Sequence, residues 1–405
     1  MVFVGIDWSE KEHDVELSSE TGQRLRRLRI RHGVEGLTKL QETISEFASQ
    51  PSQVVVAIES DHGLLVNALV ASGYAVYPIN PLVAARYRER HSVSGAKSDR
   101  RDAEMLANLV RTDRHQHRPL AGDSEIGQEV RVRARAHLRA IRLLIRQRNQ
   151  LRSLLSEYYP ALLPLLSADD IRDALAVLAV APNPFLGRQL SLSKLRSTLG
   201  RHGRQRNLEA KAAEIQALLR APQLELPQPR VVAAYSDEVA SLVRRLLQAR
   251  AEVAELEKQL AAAFRGHPDA EIYLSLPGLA YVLGARVMGE SGDDPTRYAN
   301  ARARRNYAGN APITRASGKK KQVTRRVVRN RRLADATFRW AESALTASPG
   351  ARRFYDQLKA RGNPHNTAIR KVANRLVGFL HACLQKHELY DETRAWPTAV
   401  IRDAA

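Results

Sequence analysis

Cysteine is almost missing from this chain: Cys383 is the only one in 405 residues. That excludes an intrachain disulfide and a cysteine-based zinc site, and it fits a reducing, cytosolic setting. Long apolar runs are missing too. No window approaches the unbroken length of a membrane span, and no basic amphipathic helix stands at a terminus, so no membrane is expected as partner. The start, Met1 to Asp7, reads directly as a strand and lacks the layout of a signal peptide. Acidic residues are scarce beside basic ones, 43 against 64, for a net charge of +21. The natural partner of such a chain is a polyanion, with nucleic acid ahead of anionic lipid.

What is present is enough for two or three domains, each with its own core. The first ~115 residues read as mixed α/β. Val2 to Trp8 is an apolar strand, and His13 to Ser19 and Arg24 to Arg31 continue it as a meander. Glu35 to Ala48 carries Leu37, Leu40, Ile44 and Phe47 at helical spacing. Val54 to Ile58 is a continuous apolar run, as in a strand buried on both faces. A helix around Leu64 to Ala71, a strand Tyr74 to Ile79 and the breaker Asn80-Pro81 lead to a helix holding Asp99 and Asp102. Three strands followed by alternating helices and strands is the order of a ribonuclease-H-like sheet.

Lys97-Ser98-Asp99-Arg100-Arg101-Asp102-Ala103 places two carboxylates three residues apart on one helix face, whose stripe continues to Leu106 and Leu109. Both acids are expected to face the core, where a carboxylate is costly unless a cation meets it. Asp7 ends the first strand and Glu59 follows Ile58, and ligands in open α/β sheets collect at such carboxyl ends. If the two strands are parallel neighbours, Asp7, Glu59, Asp99 and Asp102 converge. Four carboxylates raise one another's pKa, and a divalent metal resolves the conflict; an all-oxygen site suits Mg²⁺ or Mn²⁺. Two such ions ~4 Å apart hold the attacking and leaving oxygens of a phosphodiester in line. The competing reading makes Asp99 an N-cap with Asp102 at the third helical position, and Asp7 and Glu59 ordinary strand-end polar residues. Asp61 and His62 are either extra ligands or a turn.

From Gly127 the chain becomes a long Arg-rich helix with an apolar face of Leu138, Ile141, Leu144, Ile145, Leu151, Leu154 and Leu155, ending at Tyr158-Tyr159-Pro160. Pro182-Asn183-Pro184 and Pro227-Gln228-Pro229 break short helices in a middle stretch whose function is not legible. Val239, Leu242, Leu246, Ala249, Val253, Leu256, Leu260 and Ala263 form a heptad seam, suited to pairing with the Arg-rich helix or with another protomer. Leu276-Pro277-Gly278 is similar to the turn of helix-hairpin-helix backbone readers, with Ala280 where their second glycine stands. No Asp or Glu falls between Asp294 and Asp335, whereas Arg302, Arg304, Arg305, Arg315, Lys319, Lys320, Lys321, Arg325, Arg326 and Arg329 do. A run so dense and unopposed fits a phosphate backbone, with a solvated loop as the plainer alternative. Tyr298 and Tyr307 are interleaved, for base stacking or for the core. Ser317-Gly318 lies inside the run, either as a turn or as a nucleophile flanked by cations. Thr367 to Leu384 reads as a closing amphipathic helix and Asp391 to Ala405 as a loose tail.

The strands Val4 to Asp7 and Val56 to Glu59, the Lys97 to Ala103 motif, Leu276-Pro277-Gly278 and Tyr307-Ala308-Gly309 with Ala311-Pro312 and Ser317-Gly318 together resemble the DEDD transposases of bacterial insertion sequences, also called bridge-RNA-guided recombinases. The resemblance implies an α/β plus α protein of the bacterial cytoplasm. A RuvC-like, ribonuclease-H-fold domain (1–125) is joined through a helical, coiled-coil region (126–265) to a mostly helical transposase domain (266–390), with 391–405 a flexible tail. It implies that Asp7, Glu59, Asp99 and Asp102 bind Mg²⁺ and that Ser317 forms a covalent phosphoserine link with DNA. It also implies donor and target DNA, a structured bridge RNA, and dimers and tetramers as assemblies. Delegating sequence to base pairing leaves the protein to hold backbones, in keeping with many basic and only 5% aromatic residues. A Holliday-junction-type nuclease using water, an actin-like ATPase and a non-catalytic nucleic-acid-binding protein are the alternatives. The ATPase lacks a second Gly-rich phosphate loop in the right setting.

Overall fold

The computed structural model describes residues 1–91, 98–120, 122–166, 171–318 and 320–397. They fall into two compact units, residues 1–122 and 123–405.

The N-terminal unit is built on a five-stranded mixed sheet: β1 (Val2–Asp7), β2 (Glu12–Ser18), β3 (Arg24–Arg31), β4 (Val54–Ile58) and β5 (Ala75–Pro78), in spatial order β3-β2-β1-β4-β5. β2 runs antiparallel to both β1 and β3, whereas β4 runs parallel to β1 and to β5. The central pair is apolar and buried throughout, as the continuous Val54 to Ile58 run requires. The edges are guarded: β3 is studded with arginine, and β5 is only four residues long and ends in Pro78.

Alternation along the strands separates two cores. Val4, Ile6, Val15, Val56 and Ile58 face the helices α1 (Val34–Ser45) and α2 (Leu64–Ala71). Phe3, Val55 and Ala57 face α3 (Pro81–His91) and α4 (Asp99–Asp113) through Leu106, Leu109 and Val110. α3 is a helix that the sequence reading did not anticipate. α4 lies so close to β1 that a Cβ on Gly5 would fall 2.0 Å from the Ala103 carbonyl oxygen. Glycine at this position lets the two backbones touch.

Among its described residues the C-terminal unit is helical apart from one hairpin. α5 (Glu125–Tyr158) is the Arg-rich helix, and after α6 (Ile171–Val180), α7 (Pro184–Arg188), α8 (Leu192–Arg201) and α9 (Leu208–Arg220) the chain returns as α10 (Pro229–Arg265). The two long helices are antiparallel, since Arg133 reaches Gln259 near one end and Tyr235 reaches Glu157 near the other. The heptad seam therefore meets the Arg-rich helix of the same chain. Val239, Leu242, Leu246 and Leu260 are buried, but Val253 and Leu256 are only half covered and Ile145 of the facing helix is exposed. The reason is that two separate cores occupy the ends of this helical pair. One joins Leu151, Leu155 and Val239 to Leu246 with α6, α8 and α9. The other joins Val130, Leu260 and Phe264 with the helices that follow.

Those are α11 (Ala270–Ser275), α12 (Tyr281–Ser291), α13 (Ala301–Tyr307), then the hairpin β6 (Ile313–Ser317) and β7 (Lys320–Thr324), then α14 (Arg331–Ala347), α15 (Pro349–Ala360), α16 (His365–Lys386) and α17 (Glu392–Ala395). The expected loose tail from Asp391 is instead docked as far as it is described. Trp396 is buried against Gly350, Phe354 and Phe379, and the Glu392 carboxylate accepts hydrogen bonds from Ser348 and the Gly350 amide. Residues 398–405 lie outside the described residues. No helix among the described residues is long and apolar enough to cross a membrane.

Candidate functional site

Parallel pairing of Ile6 with Ile58 puts Asp7, the last residue of β1, beside Glu59, the first residue beyond β4. Alternation sets Asp7 on the face of Phe3 and Gly5, the face that α4 covers. The start of α4 lies toward this same edge, because Arg114, directly after its last residue, stacks over Phe3 at the far end of β1. Asp7 and Glu59 thus lie at the sheet edge toward which α4 begins. Asp7 and Glu59 are half-buried, Asp102 is buried and Asp99 is exposed.

Two details differ from expectation. The N-cap of α4 is Ser98, which makes no side-chain capping bond, so Asp99 is the first helical residue rather than the cap. Nor does Asp99 face the core: it is exposed, whereas Asp102, Ala103 and Leu106 of the same helix are buried. Asp102 is 3% exposed and meets the expected cation: the Arg88 guanidinium donates Nε at 2.8 Å and Nη2 at 2.7 Å to its Oδ1. Lys97 lies outside the described residues.

A fifth acid belongs to this neighbourhood. Asp14 pairs with Asp7 across β1 and β2, is 8% exposed, and accepts two hydrogen bonds from Arg29, at 3.2 and 2.6 Å. Bonding to Asp14 first, with a contribution from Asp99, holds the Arg29 guanidinium above its ordinary range, so Asp99 is within electrostatic reach of this pair. The signal for Asp14 was its place opposite Asp7 at the first turn of the three-stranded meander. Asp61 and His62 form an exposed turn, with the imidazole Nδ1 2.7 Å from the Asp61 carboxylate, and the Ser60 hydroxyl donates to the His62 carbonyl.

The donor set suits a hard divalent cation in kind, being carboxylate oxygen throughout. In the arrangement present, no three His, Cys, Asp or Glu side chains among the described residues stand close enough to hold one. Asp102 and Asp14 are each taken up by an arginine.

Ser317 belongs to the other unit. It is the last residue of β6, exposed, and paired with Lys320 across the hairpin, so a cation does stand opposite it. Gly318 takes the left-handed conformation that the tight connection demands, at φ 55°. Of the basic run, Arg302, Arg315, Lys320 and Arg325 are exposed, Arg305, Arg326 and Arg329 are half-buried, and Lys321 lies in β7. Arg304 departs from the expected surface position. It is 4% exposed, with its guanidinium 4.7 Å from the Tyr298 ring centroid. Tyr298 is buried and hydrogen-bonded to the Ser291 carbonyl, whereas the exposed Tyr307 hydroxyl accepts from Asn330. Lys319 lies outside the described residues. The Pro277-Gly278 turn is turned inward: Trp340 donates to the Pro277 carbonyl at 2.8 Å, and Gly278 packs on the α14 backbone at Ala344. The carbonyl of this turn is therefore used within the core.

An acid-edged α/β unit followed by a basic helical unit defines a class of protein that works on nucleic-acid backbones. Comparison with known proteins narrows the class. A family model described as Transposase, of the DEDD type, matches residues 4–160, and one described as Transposase IS116/IS110/IS902 family matches residues 270–356. The chain is 45% identical over 400 residues to the mini-circle putative transposase for IS117 of Streptomyces coelicolor, covering 98% of this chain and 96% of that protein. It is 27% identical, over 96% of this chain and 97% of the relative, to the insertion element IS900 uncharacterized 42 kDa protein of Mycobacterium paratuberculosis. To the insertion element IS110 uncharacterized 43.6 kDa protein of Streptomyces coelicolor it is 29% identical over 73% of this chain and 72% of that one. The chain belongs to the IS116/IS110/IS902 family of transposases, enzymes that cut and join DNA.

Proposed function

We propose that this transposase moves an insertion element by DNA strand exchange through a covalent phosphoserine link at Ser317, guided by a bridge RNA that pairs with donor and target DNA. Residues 1–125 would serve as a RuvC-like domain, 126–265 as a helical coiled-coil region and 266–390 as the domain carrying the nucleophile. Dimers and tetramers would be the working assemblies, acting on DNA in the bacterial cytoplasm. The observation that carries the reading is the parallel register of β1 and β4, which sets Asp7 beside Glu59 at one edge of the sheet. The β3-β2-β1-β4-β5 order supports the ribonuclease-H likeness of that unit.

Asp7, Glu59, Asp99 and Asp102 are the residues that would hold Mg²⁺, with Mn²⁺ as a substitute. Such an ion stabilises charge on phosphoryl oxygens as a Lewis acid. The chain's own part is to aim these carboxylates and present Ser317. Its hydroxyl oxygen forms a bond to phosphorus, the bond to the sugar oxygen breaks, and that oxygen leaves with a proton as a hydroxyl. Attack by a second sugar hydroxyl on the phosphoserine reverses the step, restores Ser317 and leaves the strand joined to a new partner. Because the phosphodiester energy is kept in the serine ester, rejoining needs no outside source. Lys320, across the hairpin from Ser317, offers a positive charge to the attacked phosphate.

The test is a denaturing gel of protein incubated with donor DNA, Mg²⁺ and the RNA that copurifies with it. Wild type should yield a protein–DNA adduct, lost in Ser317→Ala, in EDTA and after ribonuclease treatment. Asp102→Asn should cut adduct formation by at least tenfold. Cleavage that survives Ser317→Ala would instead identify a nuclease with water as nucleophile.

A further inference from the structure

Arginines in the C-terminal unit fall into two groups. Arg135, Arg286 and Arg297 are ion-paired with Glu290, Asp335 and Asp123, at 2.6 to 2.8 Å. A second group gathers where α13 packs on α16, and there several nitrogens lack acceptors, although Arg329 Nη1 donates to the Arg326 carbonyl. Arg304 is buried, yet its Nε and Nη1 have no hydrogen-bond partner, and the Nε of Arg305 and of Arg329 are buried and unpartnered as well. None of the three is joined to a carboxylate among the described residues.

Helix α16 supplies the wall. Arg370, Asn374, Gly378 and His381 follow one another by four, four and three residues and so form one stripe. The Arg305 guanidinium lies on Gly378, where an added Cβ would fall 1.7 Å from its Nη2. The Asn374 Oδ1 and His381 Nδ1 atoms are buried without partners. Burial first, then Arg304 and Arg305, push the His381 imidazole below its ordinary value. Burial and then Arg325 and Arg329 do the same to Arg370. The stripe therefore sits in an uncompensated positive field.

Buried guanidinium N–H groups without acceptors are costly, and like charges crowded together repel. An anion with several oxygens would complete such a cluster. The planar fork of arginine matches phosphate with two parallel hydrogen bonds. The position is informative too. α13 precedes the β6–β7 hairpin and residues 325–329 follow it directly, so the cluster lies at the hairpin's base. Ser317 is four residues out along β6, about 13 Å at the strand rise, on an exposed arm.

We propose that Arg304, Arg305 and Arg329, with His381, form a pocket for a nucleic-acid backbone phosphate distinct from the one that Ser317 attacks. Holding that phosphate at the base fixes the register of the strand along the hairpin. The identity of the ligand rests on the transposase reading above, whereas the pocket rests on the unpartnered cations.

The full-length protein is tested in two arms. In the first, thermal denaturation is followed with inorganic phosphate against chloride at matched ionic strength. Phosphate should raise the midpoint saturably, and Arg305→Gln and Arg329→Gln, both half-buried positions, should abolish the rise; exposed Lys258→Gln on α10 should leave it intact. In the second, duplex DNA and an RNA hairpin are titrated at several salt concentrations. Arg305→Gln should weaken one or both by about tenfold and reduce the salt slope by roughly one, and the nucleic acid affected identifies the source of the phosphate. Equal phosphate stabilisation of wild type and both variants, or none in any of them, overturns the pocket. Phosphate stabilisation lost in the variants, with no wild-type binding to either nucleic acid, upholds the pocket and removes the nucleic-acid reading.

Discussion

Gly5 shows how one residue positions the acidic edge. With no side chain there, α4 rests its Ala103 carbonyl directly on β1 and carries Asp102 to the strand's end. Gly5→Ala would force Cβ into backbone atoms that cannot swing aside, so we expect a loss of about 1–3 kcal/mol or more, read as a lower denaturation midpoint for the N-terminal unit in urea. An unchanged midpoint would mean that α4 slides freely on the sheet. At this scale the sequence was partly legible. Helical spacing marked Asp102 as core-facing and in need of a cation, and Arg88 supplies it. The same spacing misplaced Asp99, which is exposed in the first turn of α4. Asp14 was missed because its role comes from its cross-strand partner and from Arg29 on a third strand.

Among the elements, the long ones were the most legible. The heptad seam and the Arg-rich helix each repeat the 3.6-residue period many times, and they are found paired as α5 and α10. Short elements escaped for the opposite reason. The four residues of α17 show no period, and their place comes from Trp396 dropping between α15 and α16 beneath the Arg375 guanidinium, 5.0 Å from its ring. That contact can be measured. Trp396→Ala should cost about 3–5 kcal/mol in calorimetry and loosen residues 391–397, seen as faster amide exchange there. A variant as stable as wild type would restore the reading of a loose tail.

For the whole molecule, the two units should answer acid differently. In the N-terminal unit His13 is buried beside His32, 3.0 Å from its Nδ1; burial first and His32 second lower the His13 pKa from 6.5. The folded state then binds fewer protons than the unfolded chain below that value. The contribution of neutral His13 is complete above pH 6.5 and is lost as the pH falls through the lower folded value. In the C-terminal unit burial would raise Asp293, but hydrogen bonds from Ser124 and His267 outweigh it and hold the carboxyl below 3.8. Its contribution persists until the pH falls below 3.8. Amide exchange resolved by peptide should therefore show residues 1–122 opening at a higher pH than the network around Asp293. The reverse order would contradict both assignments.

Local pattern by itself determined the strands, the long helices, the acid-free basic run and the acids worth watching, since each is a matter of period, composition or adjacency. Tertiary structure decided which of those residues are buried and what they meet. It gave Asp102 an arginine and left Asp99 in solvent, drew Arg304 under Tyr298, and turned the Pro277-Gly278 turn toward Trp340. The physical reason is the same in each case. Burial and charge pairing are set by residues far apart in the chain that packing brings together, and no local spacing specifies which of the many cations or rings will arrive.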